Sequence, residues 1–331
     1  MTMLPLIDIT PLAQSSLDAR RKVAGELDSA CRDGGFLHVK GAQIDWPLLD
    51  RLRARAKAYF ALDLARKMES YIGRSDNHSG YVPVGEEQFG TGIGDLKEAY
   101  DVNCDYLAAE GRRPLLGPNL WPGDPGFRAD VTACHAHMMT IGRQIFRAFA
   151  LALGLDEQYF DAHLRHPPSQ MRLIHYPHDD AVQDRPGIGA HTDYECFTLL
   201  FATAPGLQIV DAQGAWVDVP LIDGAMVTNI GDMMEILSNG RYLATRHRVK
   251  KLREERYSFP TFFACDYDYV VAPLVRGEAP RYAPLHSGEH LFARTAQTFA
   301  YLKRRVAAGL LVSPGDGVQQ DFGRREAAGR G

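Results

Sequence analysis

Gly189-Ala-His191-Thr-Asp193, followed after three residues by Phe197-Thr-Leu-Leu-Phe201, is the stretch on which the reading of this 331-residue chain turns. The second run is short and almost wholly apolar, and Ala204-Pro-Gly206 ends it, so it reads as a buried strand. On a strand, side chains two residues apart share a face, so His191 and Asp193 aim into one volume while Thr192 points away. The same texture continues outward. Met171-Arg-Leu-Ile-His-Tyr176 lies upstream; Leu207-Gln-Ile-Val210, Trp216-Val-Asp-Val219, Ala225-Met-Val-Thr-Asn-Ile230 and Tyr257-Ser-Phe-Pro-Thr-Phe-Phe263 lie downstream. Turn pairs such as Gln213-Gly214 and Asp223-Gly224 separate them. Short strands at this spacing predict an antiparallel sandwich or barrel, not a parallel sheet with helical crossovers.

The first half reads differently. Leu4 to Ile9 alternates as a short strand, Leu12 to Arg32 carries helix formers, and Phe36-Leu-His-Val39 follows Gly34-Gly35 as another strand. Leu48, Leu49, Leu52, Ala56 and Tyr59 recur at helical spacing and predict a helix over Trp46–Phe60. Residues 69–127 are rich in Gly and Pro and predict a long irregular wall for a functional site. Phe127 to Leu153 predicts a long helix, and Gly288 to Ala308 a closing one. The expectation is a single α+β domain over 1–331 with a mainly β core. Its mostly helical part covers about 1–165, its β core 170–275 and its C-terminal helix 285–310.

Composition bounds the function. Hydrophobic residues at 45% and charged ones at 24% describe a globular chain rather than a disordered one. Lys and Arg total 37 against 41 Asp and Glu, a net charge of −4, which offers no positive field for a nucleic-acid backbone. No apolar run approaches the roughly 18 residues of a membrane span, and Met1 to Asp8 lacks the layout of a secretion signal. Cys31, Cys104, Cys134, Cys196 and Cys265 are an odd, scattered set that suits free thiols in a reducing compartment, so a cytoplasmic location is expected.

A lone His-x-Asp is more often a polar surface pair or a satisfied core histidine. What adds weight is His247, in the strand-like Ala244-Thr-Arg-His247-Arg-Val249, and Arg256-Tyr-Ser258 nine residues beyond it. Two imidazoles and one carboxylate on three corners of a metal leave the opposite face open, the arrangement with which non-haem Fe(II) takes a bidentate cosubstrate together with O2. Arg256 and Ser258 share a strand face and present a planar fork and a hydroxyl, suited to the far carboxylate of an α-keto acid. Taken alone, Arg256 would be read as a surface ion pair with Glu254 or Glu255. Other candidates are weaker. His135 and His137 diverge on a helix; His286 and His290 share a face of the closing helix and read as solvated; Gly90-Thr-Gly-Ile-Gly94 reads as a loop, since it neither follows a strand nor opens a helix. Phe197 and Phe263 read as core, yet a barrel interior is also a ligand cavity, so both are candidate substrate contacts.

These motifs together resemble the isopenicillin-N-synthase-like branch of the Fe(II)/2-oxoglutarate-dependent dioxygenases. The resemblance runs from about Leu4 to Pro273. It rests on Leu4-Pro-Leu-Ile-Asp8, Gly34-Gly-Phe-Leu-His-Val39, Tyr81 with Asp95-Leu-Lys-Glu98, Asn119-Leu-Trp-Pro122 and Met171 to Pro177. His191-Thr-Asp193, Gly206-Leu-Gln208, Asn229-Ile-Gly-Asp232, Ser238-Asn-Gly240 and His247-Arg-Val249 follow in the family's order. It implies a double-stranded β-helix (jelly-roll) core flanked by helices, and iron ligation by His191, Asp193 and His247. It also implies that Arg256 and Ser258 hold the distal carboxylate of 2-oxoglutarate, with Tyr176 reaching the cosubstrate or the prime substrate. The implied reaction is hydroxylation, desaturation or cyclisation of a small organic molecule, with release of succinate and CO2, by a monomer or homodimer. Ile174 departs from the Asn of plant members and resembles isopenicillin N synthase, in which 2-oxoglutarate is not used; an Fe(II) oxidase of that type is the alternative reading.

Overall fold

Three strands carry the centre of the molecule: β5 (Gln170–Tyr176), β7 (Phe197–Ala202) and β12 (Arg256–Phe263). The structure is a computed structural model, described at residues 4–88, 95–105, 113–177, 187–250, 252, 254–312 and 322–323; the Gly90–Gly94 stretch lies outside these residues. β1 (Leu6–Asp8), β2 (Phe36–Lys40), β3 (Gly80–Val82), β4 (Glu98–Val102) and β10 (Met226–Ile230) complete an eight-stranded sheet in the order β1-β2-β10-β7-β12-β5-β4-β3. Only the β1–β2 pair among these is parallel. A second sheet, β6-β11-β8-β9, is built from β6 (Ile188–His191), β8 (Leu207–Val210), β9 (Trp216–Asp218) and β11 (His247–Val249). Side chains from both sheets line a shared cavity, which is the jelly-roll arrangement.

Strand parity sets what faces that cavity. On β7, Thr198 and Leu200 point inward, so Phe197 and Leu199 point outward and are fully buried beneath helices. The covering helix is α4 (Pro125–Ala152), started by the Asp124 side chain, which accepts the Gly126 N–H, and by Pro125 in the first turn, where its missing N–H is not needed. α1 (Leu17–Asp33) and α2 (Trp46–Phe60) pack against α4. Gly142 of α4 lets the helix lie on the sheet: a Cβ there would come within 2.1 Å of the Phe263 ring.

Several boundaries differ from the sequence expectation, each for a local reason. α1 starts at Leu17 rather than Leu12 because Thr10–Ala13, with Pro11, forms a 3-10 turn and Ser16 caps the helix. Residues 69–127 are not only a wall: β3 and β4 extend the main sheet within them. The short helices α3 (Leu64–Met68) and α5 (Asp232–Leu237) were not legible, being too short to show a period. β13 (Val270–Val271) pairs with β14 (Leu285–His286), so His286 sits on a strand and does not share a helix face with His290. The closing helix is two helices, α6 (Ser287–Thr298) and α7 (Ala300–Ala307), because Phe299 is extended and bridges Glu87. No described helix is long and apolar enough to cross a membrane.

Candidate active site

His191 ends β6 and His247 begins β11, and these two residues are direct cross-strand partners. Their rings lie 4.3 Å apart between centroids. Each Nδ1 is within hydrogen-bonding distance of the backbone carbonyl two residues earlier: Gly189 at 2.8 Å for His191 and Thr245 at 3.2 Å for His247. Those bonds place the proton on Nδ1 and turn both Nε2 lone pairs toward Asp193, which is how a second shell orients metal-binding imidazoles. Asp193 Oδ1 lies 3.7 Å from His191 Nε2 and 3.4 Å from His247 Nε2. Its other oxygen, Oδ2, accepts the Thr198 hydroxyl and the Asn229 side-chain N–H, the latter at 2.7 Å. One carboxylate oxygen is thus held by the protein and the other is directed at the two imidazoles. All three donor atoms fall within 4.8 Å of one another.

The charges suit a cation. Burial, helped by the charge of His247, pushes His191 down to about 3, so its imidazole is neutral. Burial opposes ionisation of Asp193, but the two histidines and Asn229 outweigh it and hold the carboxyl well below its usual range. His247 is raised because Asp193 outweighs its burial. Two imidazole nitrogens and a carboxylate oxygen, with no fourth ligand group among the described residues, fit a ferrous ion with open positions.

These residues line one end of a cavity between the two sheets. At its other end Arg256 and Ser258 project from β12 opposite Tyr176 and Ile174 of β5. Arg256 is buried; its Nε donates to the Ala204 carbonyl at 2.9 Å and its guanidinium lies 4.8 Å over the Tyr176 ring. Nη1 has no hydrogen-bond partner, and among the described residues no carboxylate pairs with Arg256. A buried cation left in that state is suited to an anion. Ser258 and Tyr176 line the same wall.

Phe197 and Phe263 are brought together, but elsewhere. They stack on each other at 4.7 Å, against Phe146 and Phe149 of α4, on the face of the main sheet turned away from the cavity. The candidate substrate role for both is therefore corrected to core packing. The neighbour Phe262 is the one that lines the cavity. The signal was available: if Arg256 and Ser258 face inward, so must residues 260 and 262, and a shift of one position inverts the face. Phe263→Ala should accordingly destabilise the fold by about 3–5 kcal/mol while Phe262→Ala leaves stability nearly intact, as chemical denaturation would show. Lys97, Arg172, Thr198 and Asn229 also reach the site and were not singled out from sequence. All four lie in stretches that the sequence flagged, Asp95–Glu98, Met171–Pro177, Phe197–Phe201 and Asn229–Asp232, but none was given a role there.

Comparison with known proteins agrees with this geometry. Residues 4–124 match the model for the non-haem dioxygenase N-terminal region described from morphine synthesis, and residues 167–264 match that of the 2OG-Fe(II) oxygenase superfamily. A 2-oxoglutarate-Fe(II) type oxidoreductase of Emericella nidulans is 32% identical over 300 residues, covering 85% of this chain and 86% of its own. A homoarginine-6-hydroxylase of Arabidopsis thaliana is 32% identical over 324 residues, covering 91% and 90%. The crystal structure of a 2OG-Fe(II) oxygenase family protein from Caulobacter crescentus superposes with a TM-score of 0.78 at 28% identity, covering 89% of this chain and 98% of that one. With the double-sheet core, the grouped donors and these matches in agreement, the chain belongs to the 2-oxoglutarate–Fe(II) oxygenase superfamily and is a non-haem Fe(II)- and 2-oxoglutarate-dependent oxygenase of a small organic substrate.

Proposed function

We propose that His191, Asp193 and His247 hold the Fe(II), and that Arg256 and Ser258 receive the distal carboxylate of 2-oxoglutarate against the Tyr176 ring. The chain is read as one domain over 1–331 that works in the cytoplasm as a monomer or homodimer. Its substrate is a small molecule altered by hydroxylation, desaturation or cyclisation. The observation that carries this reading is the pairing, in one cavity, of three converging donor atoms with a buried guanidinium that lacks an acid partner among the described residues. When bound, the iron supplies the activation of O2 that couples decarboxylation of 2-oxoglutarate, to succinate and CO2, with oxidation of the substrate.

The chain's own residues have narrower tasks. Gly189 and Thr245 carbonyls fix the tautomers of the two imidazoles, and Thr198 and Asn229 hold one oxygen of Asp193 so that the other faces the metal. Arg256 sets the orientation of the dicarboxylate from the far end. Apolar Ile188, Leu200, Leu207 and Val249 keep water from the space between. Ile174, opposite Ser258, adds to that apolar wall. Anaerobic addition of Fe(II) and then 2-oxoglutarate should produce a weak visible charge-transfer band. Absence of the band, together with no succinate release in air, would overturn the assignment.

A further inference from the structure

Two arginines face this cavity, and their charges are treated in opposite ways. Arg256 has no acid partner among the described residues. Arg172, two positions before Ile174 on β5, is flanked by two: Nε donates to Asp101 Oδ1 at 2.8 Å and Nη1 to Glu87 Oε1 at 3.1 Å. Lys97 bonds Glu87 as well and lies 3.7 Å from Asp95. All five groups are buried, so two cations are enclosed with three carboxylates. Burial pushes Asp95 and Asp101 up to about 6, as befits acids in excess over their counter-charges. Of the five, only Lys97 and Arg172 reach the cavity wall. Arg172 Nη2 lies 3.0 Å from Glu87 Oε2, an ion-pair contact off the hydrogen-bond direction, so this buried donor is not fully satisfied.

Building on the function proposed above, we propose that Lys97 and Arg172 form the recognition subsite for the prime substrate, and that this subsite takes an uncharged hydrogen-bond acceptor such as the carbonyl of an amide or lactam. The argument is by donor type and charge. Lysine and arginine have only N–H donors, so a cationic substrate finds no acceptor on this wall. A carboxylate would find donors, but would add a fourth negative charge to a set that already exceeds its cations, without the net attraction that Arg256 offers. A neutral acceptor satisfies Nη2 at neither cost. β5 is two strands from β7, which carries the Thr198 that holds Asp193. At roughly 4.8 Å per strand, about 10 Å separates the subsite's strand from the strand that steadies Asp193, a span that suits a compact substrate, a single ring or short chain. Phe262 and Pro260 supply apolar contact between the two ends.

The test uses the full chain loaded with Fe(II) and 2-oxoglutarate in air. Stimulation of succinate release above the substrate-free level is measured with three matched sets: benzamide, 2-piperidone and 2-pyridone; benzoate and cyclohexanecarboxylate; benzylamine and cyclohexylamine. The neutral set should exceed both charged sets by about tenfold or more, the scale of a like-charge penalty inside a site. Glu87→Gln, which removes one compensating charge beside Arg172, should shift the preference toward the carboxylates by a similar factor; Asp101→Asn serves if that variant does not fold. Stimulation led by carboxylates or amines, or by no neutral compound, overturns the proposal, as does an unchanged preference in the charge variant. A protein that forms no Fe(II)–2-oxoglutarate band fails the proposed function; one that forms the band and prefers charged probes fails this subsite alone.

Discussion

Replacement of Arg256 by Leu should raise the 2-oxoglutarate concentration needed for half-maximal succinate release by roughly 30- to 4,000-fold. The range follows from the cost of truncating one partner of a buried, hydrogen-bonded charge pair, about 2–5 kcal/mol, at about 1.4 kcal/mol per tenfold. Folding stability should move in the other direction. In the ligand-free protein the guanidinium is buried without an acid, so leucine removes an uncompensated charge, and the melting temperature without 2-oxoglutarate should hold or rise. Wild type should gain far more melting temperature from 2-oxoglutarate than the variant. Arg256→Lys keeps the charge and loses the planar fork, so it should fall between the two. A half-saturating concentration within about threefold of wild type would remove Arg256 from the cosubstrate site.

Asp193→Ala should abolish iron retention and turnover together. The substitution deletes the only oxygen among the three donor atoms and strands the Thr198 hydroxyl and the Asn229 amide that it satisfied. Second-shell partners are typically worth 10- to 100-fold in metal affinity, so Asn229→Ala is expected within that range and Asp193→Ala beyond about 100-fold. Iron per chain after gel filtration, with succinate release measured in parallel, separates the two. An Asp193→Ala protein that keeps stoichiometric iron and full turnover would show that the metal lies elsewhere.

Much of the architecture was legible because it rests on short-range rules. The Trp46–Phe60 helix was read from five apolar positions, and the β7 and β12 strands from apolar runs too short for helices. His191 and Asp193 were joined by parity alone. What sequence could not supply was pairing between distant segments. Nothing local announces that Glu98–Val102 joins the sheet beside β5, since two of its five side chains, Glu98 and Asp101, are charged and are satisfied by partners such as His175 and Arg172. Nor does composition distinguish Arg172 from Arg256: the two differ in which acids the fold brings beside them. The inward aim of Phe262 and the outward aim of Phe263 were implied by the reading of Arg256, yet the run of aromatic residues masked that alternation.

The interruption at Phe299 ties the two C-terminal helices to the segment around Glu87. The bridge to Glu87 is reinforced on both sides: Gln88 N–H to Thr298 O, Ala300 N–H to Glu86 O and Tyr301 N–H to the Glu86 carboxylate. Phe299 also lies 5.6 Å beneath the Arg172 guanidinium. Because Glu87 also contacts Arg172 and Lys97, loosening this clasp would disturb the buried charge cluster as well as the two C-terminal helices.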